Sequence, residues 1–459
     1  MGVSAGALLS LLLAVLLTVP PGALGASPGL VARITDKGLE YAAKEGLQAL
    51  QSKLHGLKLL QIHHCELRAS SLKPLPSQGL AFSVSNSDIM VQGRWKARKS
   101  FVRLQGFFDL QVRGIAISFD LLLGSDSSGR PTVSASRCHS HIGDVDVDVS
   151  GDASWLLNLF HNQIESKFQR ELESKICELI YKSVTSDLQP YLQTLPVSTE
   201  IDSFISVDYS LMEAPKAATQ TLDMMLKGEI FNHNHHSRVA VLPPVMNLPE
   251  EHNRMVYFII SNYVFNSASL IYQKAGYLNF SITDDLIPSD SNIRLNTKSF
   301  RSFAPRLARL YPNMYLELQG AVVSAPVLNF SPGNLSVTPE MEIAGFVLSR
   351  TGRVPVFVLG AATNISAMLI FSTNRITASL KPEKIHLELK ESKVGIFNVE
   401  LLEALLNDYI LNNLYPKINE LLEKGFPLPL LNHIQLYDII LQIHKDFLFL
   451  GANAQYMRV

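Results

Sequence analysis

Arg94, Lys96, Arg98 and Lys99 place four cations within six residues, and Trp95 stands between the first two. The chemistry open to them is noncovalent. Arginine can grip a phosphate through two parallel N–H donors, lysine acts on it as a point charge, and an indole joins an apolar body to a polar edge, which suits a lipid–water boundary. In an extended strand Arg94, Lys96 and Arg98 share one face while Trp95 faces the other way. The whole chain carries 40 basic against 41 acidic side chains, so the patch is local, and a nucleic-acid partner is disfavoured. Such a patch fits a surface that is both anionic and greasy. The plainer reading is a solvated hairpin whose cations only guard a sheet edge against aggregation.

No other constellation offers catalysis. His63-His64-Cys65 and Cys138-His139-Ser140-His141 are too tightly spaced for the usual structural zinc patterns, and His233-Asn234-His235-His236 reads as a polar linker. Asp144, Asp146 and Asp148 resemble a calcium loop only at first sight. Val149 stands where the loop needs glycine, and Trp155 where it needs a bidentate glutamate. Gly25-Ala26-Ser27-Pro28-Gly29 has the hydrolase nucleophile pattern, but no mature strand precedes it. The chain therefore offers no catalytic residues and no metal site, and it reads as a non-enzyme.

The elements that must position the patch follow from hydrophobic period. Residues 1–25 read as a secretory signal: an apolar run from Ala7 to Val19, the breakers Pro20-Pro21-Gly22, and a small-residue site at Ala23-Leu24-Gly25. The expected location is extracellular. Leu30, Val31, Ile34, Leu39, Ala42, Leu47, Leu50 and Leu54 recur at helical spacing. From about Gly79 the period becomes two, and the apolar parity switches at Gly114, from Leu104, Phe108, Leu110 and Val112 to Ile115, Ile117, Phe119 and Leu121. A β-bulge makes such a switch and bends a sheet. The patch then falls near the tip of a hairpin, and Ile142 to Val149 forms another strand. A second long helix, capped by Asp152 or Ser154, carries Trp155, Leu159, Phe160, Ile164, Phe168, Leu172, Ile176 and Ile180, and must end before Pro190.

A helix–strands–helix order recurs. Ser261 to Ala275 is helical, strands lie around Met314–Leu318, Ile343–Leu348 and Ile385–Leu389, and a closing helix runs from about Val399 to Glu423. Between the halves, Pro243, Pro244 and Pro249 mark a semi-rigid linker. The order predicts an α+β chain of two similar domains: residues 26–231 with the basic tip, a linker at 232–250, and residues 251–459. Cys138, ahead of a strand, and Cys177, in the following helix, can bridge strand to helix, which leaves Cys65 buried or free. Asn279, Asn329, Asn334 and Asn364 each open an N-glycosylation triplet.

Pro28-Gly29-Leu30-Val31-Ala32-Arg33-Ile34-Thr35-Asp36-Lys37-Gly38-Leu39, Gly425-Phe426-Pro427-Leu428-Pro429 and the Cys138/Cys177 pair resemble the lipid-transfer family of bactericidal/permeability-increasing protein. Leu188 to Pro196 and Phe447 to Asn453 extend the likeness over nearly all of the mature chain. It implies an elongated molecule of two strongly curved antiparallel barrels, each packed with two helices, sharing a central sheet. Each half would hold an apolar pocket able to take a phospholipid, with no other cofactor. Arg94, Trp95, Lys96, Arg98 and Lys99 map onto the family's tip, where lipopolysaccharide would bind through its lipid A, drawn from the bacterial outer membrane surface. The second half would dock on the monocyte lipopolysaccharide co-receptor. In one place the chain departs from the pattern. Only His55 to His64 separate Leu54 from Cys65, shorter than the family by roughly twenty residues, the length of two strands and a turn. The shortening bears on closure of the first barrel, on its pocket and on any cations a longer loop would add.

Overall fold

The computed structural model describes residues 27–55, 61–76, 78–99, 102–152, 154, 161–233, 242–287, 289, 294–372 and 374–457. The expected leader at 1–25 and Trp155, Leu159 and Phe160 of the second helical stripe lie outside them.

The first apolar run is a strand rather than the start of the helix. Leu30–Thr35 (β1) precedes the helix Asp36–His55 (α1), whereas spacing alone joined Leu30, Val31 and Ile34 to the helical stripe. A six-residue apolar run fits either period. Here β1 is paired along both edges, to residues 221–226 and 256–260, and cores pack on both its faces, with Leu30 and Ala32 in one and Val31 in the other, so alternation is largely lost.

Gln61–Glu66 (β2), Ser70–Leu75 (β3), Gly79–Lys99 (β4), Val102–Ser125 (β5), Pro131–His141 (β6) and Asp144–Gly151 (β7) form one curled antiparallel sheet. Its order is β2-β4-β5-β6, with β3 also beside β4 and β7 beside β5. The parity switch at Gly114 is a bulge: Ser87 pairs with Ile115 and Ile89 with Val112, so two residues of β5 face Asp88 alone. Gly114 takes φ 66° there, a value that suits glycine, and its N–H donates to Asp88 Oδ1 at 3.2 Å.

Among the described residues this sheet is open, so the expected barrel is a curled half-barrel whose free edges are completed by helix side chains. Gln51 of α1 donates to the Cys65 carbonyl at 2.6 Å. On the helix His161–Ser183 (α2), Gln169 donates to the Ile142 carbonyl at 2.8 Å, while Glu173 accepts from the Ile142 N–H at 2.9 Å. Unpaired edge groups left dry would be costly. Pro190 does not end the helical path as expected. The winding widens to a π-turn over Val184–Leu188, where Gln189 N–H reaches the Val184 carbonyl, and Pro190 enters a further turn at Gln189–Leu192. The wider turn keeps the proline ring clear of the carbonyl it would strike in a regular helix.

Ser198–Glu200 (β8), Ile205–Asp208 (β9), Lys216–Ala217 (β10), Thr221–Leu226 (β11) and Glu229–Asn232 (β12) follow. Beyond the linker come Val256–Ser261 (β13) and the helix Asn262–Lys274 (α3), whose N-terminus Ser261 caps by accepting from Tyr263 N–H at 3.2 Å. Next are Phe280–Ile282 (β14), the short helix Pro305–Leu310 (α4), Tyr315–Val322 (β15), Leu328–Ser331 (β16), Asn334–Val337 (β17), Glu340–Ser349 (β18), Gly352–Ala362 (β19), Ile365–Ser372 (β20), Arg375–Pro382 (β21) and His386–Ser392 (β22). The helices Glu400–Tyr409 (α5) and Tyr415–Leu422 (α6) flank a second π-turn, again just before a proline, Pro416. Phe426–Pro427 (β23), Ile434–His444 (β24) and Phe447–Tyr456 (β25) close the chain. The second half has sheets β14-β15-β18-β19-β22 and β16-β17-β20-β21-β23. Asn407 of α5 exchanges both backbone bonds of Ile385, at 2.8 and 3.0 Å, the counterpart of the Gln169–Glu173 device.

The halves share the central sheet β10-β11-β1-β13-β25-β24, joined where β1 pairs β13. Beside that seam Arg33 grips Asp223 through two N–H donors, at 2.8 and 2.9 Å, and donates a third to the Pro249 carbonyl at 2.9 Å. The fold is therefore α+β, dominated by strands, with the shared sheet that the family resemblance implied.

Cys138 and Cys177 are bonded, linking β6 to α2. Cys138 lies within its strand, not ahead of it. Their separation of 39 residues corresponds to about 4 kcal/mol on the chain-entropy model. Replacing both with alanine should lower the unfolding free energy by about that amount in a denaturant titration. Cys65 is free and buried, and burial pushes its thiol up to about 11. At pH 8 it should resist alkylation in the native protein and react once denaturant is added, as mass spectrometry would show.

Candidate functional site

The cationic segment forms the last rungs of the β4–β5 ladder: Arg94 opposite Phe107, Trp95 opposite Gly106, Lys96 opposite Gln105, Arg98 opposite Arg103, and Lys99 opposite Val102. Arg94, Lys96 and Arg98 are exposed, as are Phe107, Gln105 and Arg103 across from them. Directly opposed residues share a face, so these six side chains make one two-column array. Rungs on one face repeat every ~6.7 Å, which puts Arg94 and Arg98 about 13 Å apart along the strand. The side chain of Lys99 and residues 100–101 lie outside the described residues.

Two members of this array are not evident from the linear cluster. Arg103 sits directly across from Arg98. Like charges so placed destabilise a sheet, and an anion bound between them removes that repulsion. Phe107 is 56 % exposed, with the Arg94 guanidinium 5.4 Å from its ring centroid, within cation–π range. Both could have been found only by fixing the register of the hairpin.

Trp95 takes a different part from the boundary role expected of it. It points to the other face, packs against the first half's core, and donates from Nε1 to the Ser150 carbonyl at 3.1 Å. Gly106 lies beneath it, where a Cβ would stand 1.9 Å from the Ser150 oxygen and 2.6 Å from Nε1. The indole thus fastens the hairpin to β7, and the exposed aromatic ring of the cationic face is Phe107. Asp152 adds to this fastening. Its N–H donates to the Gln105 carbonyl at 3.0 Å and its carboxylate accepts from Gln105 N–H at 3.2 Å, so it extends the strand pairing; the helix start that Asp152 or Ser154 was expected to cap lies outside the described residues.

Pairing of β4 with β2 stops at Gln92 opposite Gln61, and among the described residues no strand covers the outer edge of Gly93–Lys99. Below Phe107 the outer face turns acidic, with Asp109 opposite Asp148, Gln111 opposite Asp146, and Arg113 opposite Asp144. These aspartates, exposed on alternate positions of β7, confine anion attraction to the hairpin end.

Elsewhere, Asn279, Asn329 and Asn334 are exposed, whereas Asn364 is half-buried and bonded to Glu383 and Thr338. A cleft of about 590 Å³ opens between Tyr41 of α1 and Tyr437, Tyr456 and Met457 near the C-terminus, away from the array. Among the described residues no helix is long and apolar enough to cross a membrane.

Comparison with known proteins places this geometry in context. The N-terminal domain of the LBP / BPI / CETP family matches residues 55–191, and its C-terminal domain matches residues 199–456. The chain is 67 % identical to a human protein named lipopolysaccharide-binding protein, over all of both chains, and 64 % identical to the bovine protein of that name, over 99 % of each. It is 38 % identical to rat bactericidal permeability-increasing protein over 93 % of each chain. A crystal structure of lipopolysaccharide binding protein superposes with a TM-score of 0.71 at 58 % identity, covering 94 % of this chain and all of that one. The human alignment runs over 481 positions against 459 residues here, in keeping with a gap of the size inferred between Leu54 and Cys65. The N-terminal match begins at residue 55, at that junction.

Gly106→Val should push Trp95 off Ser150. A red shift of tryptophan emission with little change in far-UV circular dichroism is the expected result, because the core strands lie below this rung.

Proposed function

Since the chain belongs to the LBP / BPI / CETP family, we propose that it is a secreted, non-enzymatic lipid-transfer protein. In this reading it takes up lipopolysaccharide at the end of the β4–β5 hairpin and delivers it to an innate immune receptor. The observation that carries the reading is the exposed array of Arg94, Lys96, Arg98 and Arg103 around Phe107. Lipid A joins phosphates to a sugar core bearing acyl chains. The arginines supply paired donors for phosphate, Lys96 and Lys99 supply point charges, and Phe107 supplies apolar contact beside them. Because the array stands on an exposed ribbon, bound lipid remains accessible for transfer, and no covalent step is needed.

The names of the relatives support lipopolysaccharide as the ligand. Phospholipid acyl chains would lie between the curled sheets and their helices, where Leu47, Leu72, Phe108, Ile164, Phe168 and Leu172 are only partly buried against the first core. The second half would dock on the monocyte co-receptor. An N-terminal leader at 1–25 accounts for secretion, and the exposed Asn279, Asn329 and Asn334 are available to glycans.

Arg98→Glu with Lys99→Glu should weaken binding to lipid A vesicles by at least ~100-fold, since each charge-assisted bond lost is worth about 1.5–3 kcal/mol. Arg103→Glu should approach the same loss, and parent affinity should fall as salt rises. Full retention of lipid A binding by the double variant would refute the assignment. Transfer confined to phosphatidylcholine and indifferent to these changes would make the protein a general phospholipid carrier instead.

A further inference from the structure

The second half carries a cationic end of its own. From Arg294 to Leu316 the chain contains Arg294, Lys298, Arg301, Arg306 and Arg309 and no acidic residue. Arg294 is occupied by Asp284 at 2.8 Å, while the other four are exposed. The fold adds more from distant parts of the chain. Arg350, in the β18–β19 turn, and Lys393, after β22, are both exposed.

These segments lie side by side. A Cβ at Gly395 would stand 3.5 Å from the Arg306 side chain, Lys393 N–H donates to the Val356 carbonyl at 2.8 Å, and Thr297 N–H donates to the Met314 carbonyl at 2.8 Å. Tyr315 pairs with Leu348, two residues before Arg350. Apolar side chains project among the cations: Ile396 is 96 % exposed, Tyr315 58 % and Leu310 53 %. The exposure of Ile396 is imposed by its neighbours. Val394 and Phe397 are both buried in the second half's core, so the loop is fixed and Ile396 is held out in water, one residue beyond the Gly395 that lies against Arg306.

We propose that this end is a second lipid-contacting surface, recognising an anionic lipid surface through Lys298, Arg301, Arg306 and Arg309, with Ile396 inserted between headgroups. An isoleucine projecting this far into solvent suits a partner that needs no matching shape. A fluid interface accepts an apolar wedge wherever it arrives, whereas a protein partner would have to supply a pocket for it. The flanking cations gain about fivefold in affinity each at an anionic surface. The inference is independent of the β4–β5 array and would give each half its own lipid contact.

The test uses the full chain with the tip disabled by Arg98→Glu and Lys99→Glu, so that the two surfaces are separated. In that background Ile396→Cys, labelled with an environment-sensitive dye while buried Cys65 stays unreactive, should shift to the blue with phosphatidylcholine vesicles containing phosphatidylglycerol. Phosphatidylcholine alone should give no shift. Arg306→Glu with Arg309→Glu should reduce vesicle affinity by at least ~10-fold, and so should Ile396→Asp, whose exposed site leaves folding untouched. Unchanged affinity in these variants, or no blue shift, would overturn the proposal. Capture by polyglutamate without a shift on vesicles would reassign the patch to an acidic protein partner and overturn it as well.

Discussion

The constraint on which the rest depends is the continuous ladder between β4 and β5, which runs from Gly79 opposite Leu122 to Lys99 opposite Val102. On either side of the Gly114 bulge each strand has two faces of fixed parity, so the register of that stretch decides which side chains meet the core and which meet solvent. The paired irregularities at Asn86 and Gly114 bend this ladder, so the same two strands wall the core at one end and carry the cationic rungs at the other. Sliding the register by one residue would turn Arg94, Lys96 and Arg98 inward and bring Trp95 to the surface.

Because the sheet is curled and open, its edges need partners that strands do not supply. Helix side chains provide them: Gln51, Gln169 and Glu173 in the first half, and Asn407 and Glu403 in the second. Both halves also pass a proline through a helical path by a preceding π-turn. The repetition shows that the two halves solve one problem in one way, namely how to lay a long helix along a strongly bent sheet.

Much of this was legible in the chain. The switch of apolar parity at Gly114 marks the bulge because burial on one face enforces period two. The four clustered cations mark the hairpin end, and Ser261 marks its helix start. Other features were hidden for physical reasons. Leu30–Thr35 is apolar on both faces because a core packs on each side of it, one holding Leu30 and Ala32 and another Val31, and such a run has no clear period to read. Strands β19 and β20 carry apolar runs such as Val356-Phe357-Val358-Leu359 and Met368-Leu369-Ile370-Phe371, which blur alternation in the same way. Trp95 looked like a membrane-facing ring because nothing in the sequence announces that Ser150 and Gly106 will meet it.

The sequence by itself determined the local terms: most strand and helix periods, the bulge and the charge cluster. These depend on residues close in the chain, or on residue type alone. Only the tertiary structure decided which distant residues complete the cationic face. Arg103 joins Arg98 and Phe107 joins Arg94 through the register of two strands, while Asp144, Asp146 and Asp148 come to border the array through a third. Charge acts through space, and spatial neighbours are set by strand pairing, which the spacing of residues along one strand does not record.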